Sequence, residues 1–192
     1  MMEIEYEATF VNIDKDEIKA KLKNVGAHLE RAEFLQKRAV FHLPTGHEIE
    51  GGWARVRDEG DKITMSVKII DGDKITDQKE ICLTIDNFNE GVNLLKTIGC
   101  EEKAYQETKR ELWKMDGVEV TIDEWPFLEP LVEIEGKDER SVHSVAEKLG
   151  FDWSSARFCC SGTLFAEKYH FNEDVFNNQT PKLIFEMDNP FL

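Results

Sequence analysis

The sequence predicts an α+β fold: a sheet of about eight short strands, with amphipathic helices packed on its apolar face. Three observations lead there. Successive segments alternate apolar and polar residues with period two, as half-buried strands do. Three other segments carry apolar residues at helical spacing and end in an apolar residue plus glycine: Val25-Gly26, Ile98-Gly99 and Leu149-Gly150. The polar strand faces hold charges of both signs, and carboxylates at every second position repel one another unless cations sit among them.

Composition bounds the rest. At 192 residues and 41% hydrophobic content, the chain can bury one good core, so one domain is expected. Its net charge of −15, with 33% charged residues, argues against binding to nucleic acid or to an anionic membrane. No apolar run reaches the ~18 residues of a membrane span. Met1-Met2-Glu3 lacks the features of a signal peptide. Cys82, Cys100, Cys159 and Cys160 show no CxxC spacing, so reduced thiols, no zinc site and a cytoplasmic location are expected.

The N-terminal strand sets Ile4, Tyr6, Ala8 and Phe10 against Glu3, Glu5 and Glu7. Asp14 with Glu17 three residues on is a capping-box pattern for a helix carrying Ile18, Leu22 and Val25. A strand follows at about 34–43. The stretch 45–52 reads as a loop, with Glu48 and Glu50 in solvent. Trp53 to Arg57 puts Arg55 and Arg57 on one face, and Ile63 to Ile69 puts Thr64, Ser66 and Lys68 on one face. Gln78 to Thr84 sets Glu80, Cys82 and Thr84 opposite Lys79, Ile81 and Leu83. A second helix begins near Asp86. A long strand covers about 103–114 and turns at Asp116-Gly117 into 118–123; a short strand spans 131–135, and a third helix 139–149. His28 and His47 are expected in loops, His42 at a strand end and His143 on a helix surface. Trp125 is expected to pack at a rim.

Glu5, Glu7, Arg55, Arg57, Lys68, Glu80, Arg110, Asp123, Glu133 and Glu135 all lie on strands whose other face is apolar. If the helices cover the apolar side, the charged side either faces water or lines a cavity formed by closure of the sheet. Mixed signs favour the cavity. Arg and Lys bind phosphate oxygens, while Glu and Asp hold hard divalent cations that bridge the same oxygens. The opposing reading is a surface ladder of cross-strand ion pairs, each worth only ~0.2–1 kcal/mol.

The ordered series Glu5-x-Glu7, Arg55-x-Arg57, Lys68, Glu80, Arg110, Asp123-Glu124-Trp125 and Glu133-Ile134-Glu135-Gly136 resembles the CYTH superfamily of triphosphate tunnel metalloenzymes. The segments 105–111 and 123–126 are similar to its class IV adenylate cyclase-like set, and thiamine triphosphatases belong to the same superfamily. The resemblance runs over about residues 3–171. It implies a closed eight-stranded antiparallel β tunnel with a charged interior and helices outside, over 1–171, followed by a C-terminal tail, 172–192. It implies that Arg55, Arg57, Lys68 and Arg110, joined by Arg38, grip a triphosphate. Glu5, Glu7, Glu133 and Glu135, with Asp123 and Glu80, would hold Mg2+ or Mn2+, and catalysis would fall to Glu5, Glu7 and Arg57.

The sequence also departs from that pattern. Thr9 stands at a family lysine position, and Thr108 shares the face of Arg110 where another lysine is common. Arg38, by parity with Gln36, is the candidate replacement cation. The tyrosine usual after the serine is missing from Cys160-Ser161-Gly162-Thr163. The function expected is a metal-dependent phosphohydrolase acting on an inorganic or organic triphosphate. The alternatives are an adenylate cyclase that makes cyclic AMP and pyrophosphate from ATP, and a binding module for polyphosphate or nucleotide with weakened catalysis. The expected partner is a triphosphate-containing small molecule or nucleotide, with a homodimer as a further candidate.

Overall fold

A computed structural model of the chain describes residues 2–192. The strands are β1 (Glu3–Ile4), β2 (Tyr6–Phe10), β3 (His28–His42), β4 (Gly52–Asp58), β5 (Ile63–Ile70), β6 (Gln78–Ile85), β7 (Glu101–Met115), β8 (Val118–Glu124), β9 (Leu131–Gly136) and β10 (Lys182–Leu183). The helices are α1 (Lys15–Asn24), α2 (Phe88–Thr97), α3 (Glu139–Lys148), α4 (Ser161–Tyr169) and α5 (Glu173–Asn178).

The sheet runs β1-β6-β5-β4-β3-β7-β8-β9-β2, antiparallel throughout, with β10 added parallel to β7. Its two ends are consecutive pieces of one strand. Glu3 and Ile4 pair with Glu80 and Lys79, and two residues later Tyr6 to Phe10 pair with Gly136 to Val132. The backbone changes partner at Glu5, whose amide donates to Gln78 O at 3.0 Å while its carbonyl accepts from Glu7 N. The Gln78 side chain spans the seam, its Nε2 donating to Glu7 O at 2.7 Å. Counted once, that split strand makes eight around a nearly closed tunnel, which removes most of the exposed sheet edge.

Most apolar strand residues face outward, while Val40 and Ile70 border the interior. α1 and α3 cover one flank, burying Ile18, Leu22, Val142, Val145 and Leu149 against Phe10, Val120, Ile122 and Ile134. α2 covers another, where Leu95 meets Ala39, Phe41, Ala54 and Val56. The expected cap at Asp14 forms, its side chain accepting from Glu17 N, and Asp138 caps α3 in the same way by accepting from Ser141 N. The second helix starts at Phe88, two residues beyond the expected start near Asp86, and is capped by Asn87, which accepts from Glu90 N. In the β7–β8 turn, Asp116 and Gly117 both take positive φ, 53° and 77°, as a tight hairpin requires.

Several elements correct the expectation. β3 starts at His28, so His28 is a strand residue rather than a loop one. The extra length pairs with β7 through register shifts at Leu29/Arg31, Arg31/Phe34 and Val40/Phe41, which break the period-two pattern there. α4 and α5 add two helices to the three expected. Together with β10 they form a third apolar cluster, in which Trp125 and Leu131 meet Leu164, Phe165, Phe176 and Leu183. Residues 172–192 are thus docked on the barrel through buried Phe176 and Leu183. Phe165 is 0% exposed and contacts the rings of Trp125, Tyr169, Phe176 and Phe191. Phe165→Ala should cost about 3–5 kcal/mol, read as a lowered denaturation midpoint.

Candidate active site

Directly paired residues on antiparallel strands point to one face, so the register locates the inward side chains. Val40 faces Arg55, Arg38 faces both Arg57 and Gln106, and Arg55 faces Ser66. Lys68 faces Glu80, Arg110 faces Asp123, Glu133 faces both Thr9 and Thr121, and Glu7 faces Glu135. The charged residues singled out in the sequence therefore share the inner face. Glu124 and Lys109 point outward, where Glu124 binds Lys15 and Lys109 lies over the Phe185 ring.

Most cations inside have carboxylate partners. Arg110 forks onto Asp123, with Nε 2.7 Å from Oδ1, and also reaches Glu133. Arg55 binds Glu80 at 2.9 Å and Ser66, and Arg57 binds Glu59 at 2.8 Å. Lys68 Nζ stands 2.6 Å from Glu5 Oε2 and 3.3 Å from Glu7 Oε1; only the Glu7 contact is aligned as a hydrogen bond. Against the cost of burial, Glu7 and Glu5 keep Lys68 protonated, and Asp123 and Glu133 do the same for Arg110. Burial, with Arg55 and Arg110 nearby, pushes Arg57 down to about 10.

Arg38 differs. It is 8% exposed and donates to Thr108 Oγ1 at 2.5 Å and Gln36 Oε1 at 3.2 Å, with its guanidinium 4.7 Å from the Trp125 ring centre. Among the described residues no carboxylate pairs with it. Burial and the charges of Arg55, Arg57 and Arg110 hold its pKa well below the usual guanidinium range. Thr108 thus accepts from Arg38 and helps to hold it in place. Among the described residues, the buried side-chain atoms without hydrogen-bond partners belong to Glu5, Gln36, Arg38, Arg57 and Glu59. They cluster inside the tunnel and at its Glu59 end, where a polar ligand would satisfy them.

The carboxylates gather apart from Arg38. Glu5, Glu7 and Glu135 each offer an oxygen, all within 4.8 Å of one another, a donor set suited to a hard divalent cation. All three are raised above the ordinary carboxylate range. Burial is the first cause, followed by Glu7 for Glu5 and by Glu133 for Glu7. Glu135 is pushed up to about 8, first by burial of its carboxylate and then by Glu7 and Glu5, although the residue keeps one flank open to solvent. Such a cluster fits a cation that would relieve its repulsion. Glu133 adjoins it but is tied to Arg110, Asp123 is fully engaged by Arg110, and Glu80 is held by Arg55 and lies below the ordinary range.

Sequence reasoning missed Arg157. Its backbone forms a two-way bridge with Thr9, N to O at 3.0 and 2.9 Å, which sets its side chain on the face of Thr9. There it binds Glu167. Only the fold brings it beside Thr9. His143 packs at 4.5 Å from the Trp153 ring, and no helix among the described residues is long and apolar enough to cross a membrane.

Comparison with known proteins agrees with this architecture. Residues 1–157 match the family model of the CYTH domain. The chain belongs to the CYTH family. No curated protein matches the sequence significantly. Among solved structures, a candidate adenylate cyclase from Vibrio parahaemolyticus aligns with a TM-score of 0.72 at 11% identity, covering 86% of this chain and 99% of that one. The PH1819 protein of Pyrococcus horikoshii OT3 aligns with a TM-score of 0.66 at 21% identity, covering 85% and 99%. HpAC1 from Hippeastrum, a candidate adenylyl cyclase reported to have a dominant triphosphatase activity, aligns with a TM-score of 0.53 at 12% identity, covering 88% and 97%. These likenesses define the CYTH tunnel fold.

The acid cluster sets a pH dependence for the metal-free protein. Between the ordinary carboxylate value of 4.5 and about 8, the folded chain keeps a proton on Glu135 that the unfolded chain has released. Stability should therefore fall as pH rises through that window. The melting temperature in EDTA should drop from pH 6 to pH 8.5, Glu135→Gln should flatten the slope, and Mg2+ should stabilise more at pH 8 than at pH 6.

Proposed function

We propose that this CYTH protein is a divalent-metal-dependent phosphohydrolase that binds a triphosphate inside its tunnel. The observation that carries the reading is the division of the interior: a three-carboxylate cluster on one side, and on the other a buried arginine with no carboxylate partner. Such an arginine is costly in the ligand-free protein and is compensated when an anion arrives.

Arg38, Arg55, Lys68 and Arg110 would bind the phosphoryl oxygens, with Arg38 the one free of a carboxylate. Glu5, Glu7 and Glu135, with Glu133 adjoining, would hold Mg2+ or Mn2+. When bound, that cation supplies charge neutralisation on the phosphoryl oxygens and lowers the pKa of a bound water. Arg57, fixed by Glu59, would orient an end of the chain of phosphates and balance charge on a departing oxygen. Burial of these groups keeps bulk water from the phosphates, which strengthens each ion contact.

A cyclase reading is kept by one observation, a wide chamber at the tunnel mouth bordered by Trp53 and Phe158, where a nucleoside could sit. Product analysis separates the two. Incubation with Mg2+ or Mn2+ should release orthophosphate from tripolyphosphate and form no cyclic AMP from ATP. Cyclic AMP with pyrophosphate would establish the cyclase, and metal-dependent binding without turnover would establish a binding module. The double variant Glu133→Gln/Glu135→Gln should abolish metal-dependent turnover while staying folded.

Arg38→Met gives an independent check. Removing an uncompensated buried charge should raise the melting temperature of the ligand-free protein. The same change should weaken tripolyphosphate binding by about 1.5–3 kcal/mol, the scale of a hydrogen bond to a charged group. Titration calorimetry beside thermal melting reads both, and unchanged affinity would remove Arg38 from the site.

A further inference from the structure

The mouth chamber holds a lysine, Lys103, that the tunnel reading does not use. It has a volume of about 770 Å3, within the ~300–1,000 Å3 typical of complete small-molecule sites. Its floor is the tunnel, where Glu7, Arg38, Arg55, Lys68 and Glu133 border it. One rim is fixed by Gly51, at φ +67°, where any Cβ would stand 2.0 Å from Ile70 O. The opposite wall is residues 156–163 and the start of α4. Most of that wall lies beyond residue 157, where the family match ends.

Lys103 enters this chamber because of a β-bulge. Val40 pairs with Ala104 and Phe41 with Glu102, so β7 has one more residue than β3 at this point, and the extra residue is Lys103. Bulges re-aim side chains in this way. Lys103 borders the chamber and donates to Asn177 Oδ1 on α5 at 2.9 Å. Among the described residues no carboxylate pairs with it, and burial lowers its pKa. Beside it α4 begins at Ser161, the side chain of the N-cap residue Cys160 gives the first-turn amides no cap, and Cys160, Ser161 and Thr163 all border the chamber. The positive end of a helix and a lysine thus share one cavity with the buried, carboxylate-free Arg38, whose Nε has no partner. Of the acids around the chamber, Asp73 is exposed at the rim, Glu173 is half-buried at the start of α5, and Glu7 and Glu133 are engaged by Lys68 and Arg110.

We infer that Lys103, Arg38 and the N-terminus of α4 form a phosphoryl subsite at the tunnel mouth, so that the ligand class is a linear polyphosphate of four or more phosphoryl groups. This rests on the tunnel itself being a triphosphate site. Arg38 borders both spaces, so an anion at the mouth continues the chain of phosphates held within. A compact tetrahedral anion with several acceptor oxygens suits a lysine point charge and helix amides together.

The test is equilibrium titration of the full-length protein with tripolyphosphate and with tetrapolyphosphate, using Ca2+ in place of Mg2+. Tetrapolyphosphate should bind about tenfold more tightly, and Lys103→Met should reduce that ratio to about threefold or less. Lys103→Arg, which retains the charge, should keep the ratio. So should Lys109→Met, which removes the same charge from the outer face. A ratio near one in the unmodified protein, or a ratio untouched by Lys103→Met, overturns the subsite while the tunnel reading stands. Failure of tripolyphosphate itself to bind overturns both.

Discussion

Everything in this molecule depends on keeping many charges inside a closed sheet without leaving most of them uncompensated. Moving a carboxylate or ammonium out of water costs several kcal/mol even after relaxation, so burial is tolerable only where opposite charges meet. The strand register provides those meetings: Arg110 faces Asp123, and Lys68 faces Glu80 while reaching Glu5 and Glu7. The outer apolar faces, covered by α1, α2 and α3, provide the hydrophobic stabilisation that a polar interior cannot.

Compensation is incomplete in two places, and these define the candidate chemistry. Glu5, Glu7 and Glu135 crowd together with too little positive charge, while Arg38 has no bonded carboxylate among the described residues, and the charge of Asp123 offsets only part of its burial and of the repulsion from three arginines. A metal polyphosphate carries the missing charges of both signs in one ligand. The two imbalances sit in one interior, so one ligand can settle both, and neither alone would distinguish a functional site from an awkwardly buried residue.

Much of this was legible in the sequence because both signals are short-range. Period-two alternation placed Arg55, Lys68, Glu80, Arg110 and Glu133 on one face, and the N-cap at Asp14 located α1. What was not legible depended on register and on distant contacts. The length of β3 was hidden by the shifts that break its alternation, and the same kind of shift gave no hint that Lys103 would turn toward the mouth. α4 begins without a side-chain cap, so its start left no mark in the sequence. Arg157 meets Thr9 only through a backbone bridge spanning most of the chain. Parity did foresee Arg38 as an inward cation, but not that it would lack a carboxylate.

The split N-terminal strand has a consequence for how the molecule reaches its native state. The N-terminal strand finds its ladder partners in β6 and in β9, at positions near 80 and near 134, and Thr9 also bridges Arg157. During synthesis, the barrel cannot close until residue 136 has left the ribosome, and the N-terminal segment must wait as an unpaired edge. Contacts between such distant positions slow folding, because the loop entropy is lost before the pairing is gained. Glu3, Glu5 and Glu7 give the waiting segment a charge that discourages pairing with a neighbouring chain. The alternation that lines the tunnel with carboxylates thus also guards the nascent chain against aggregation.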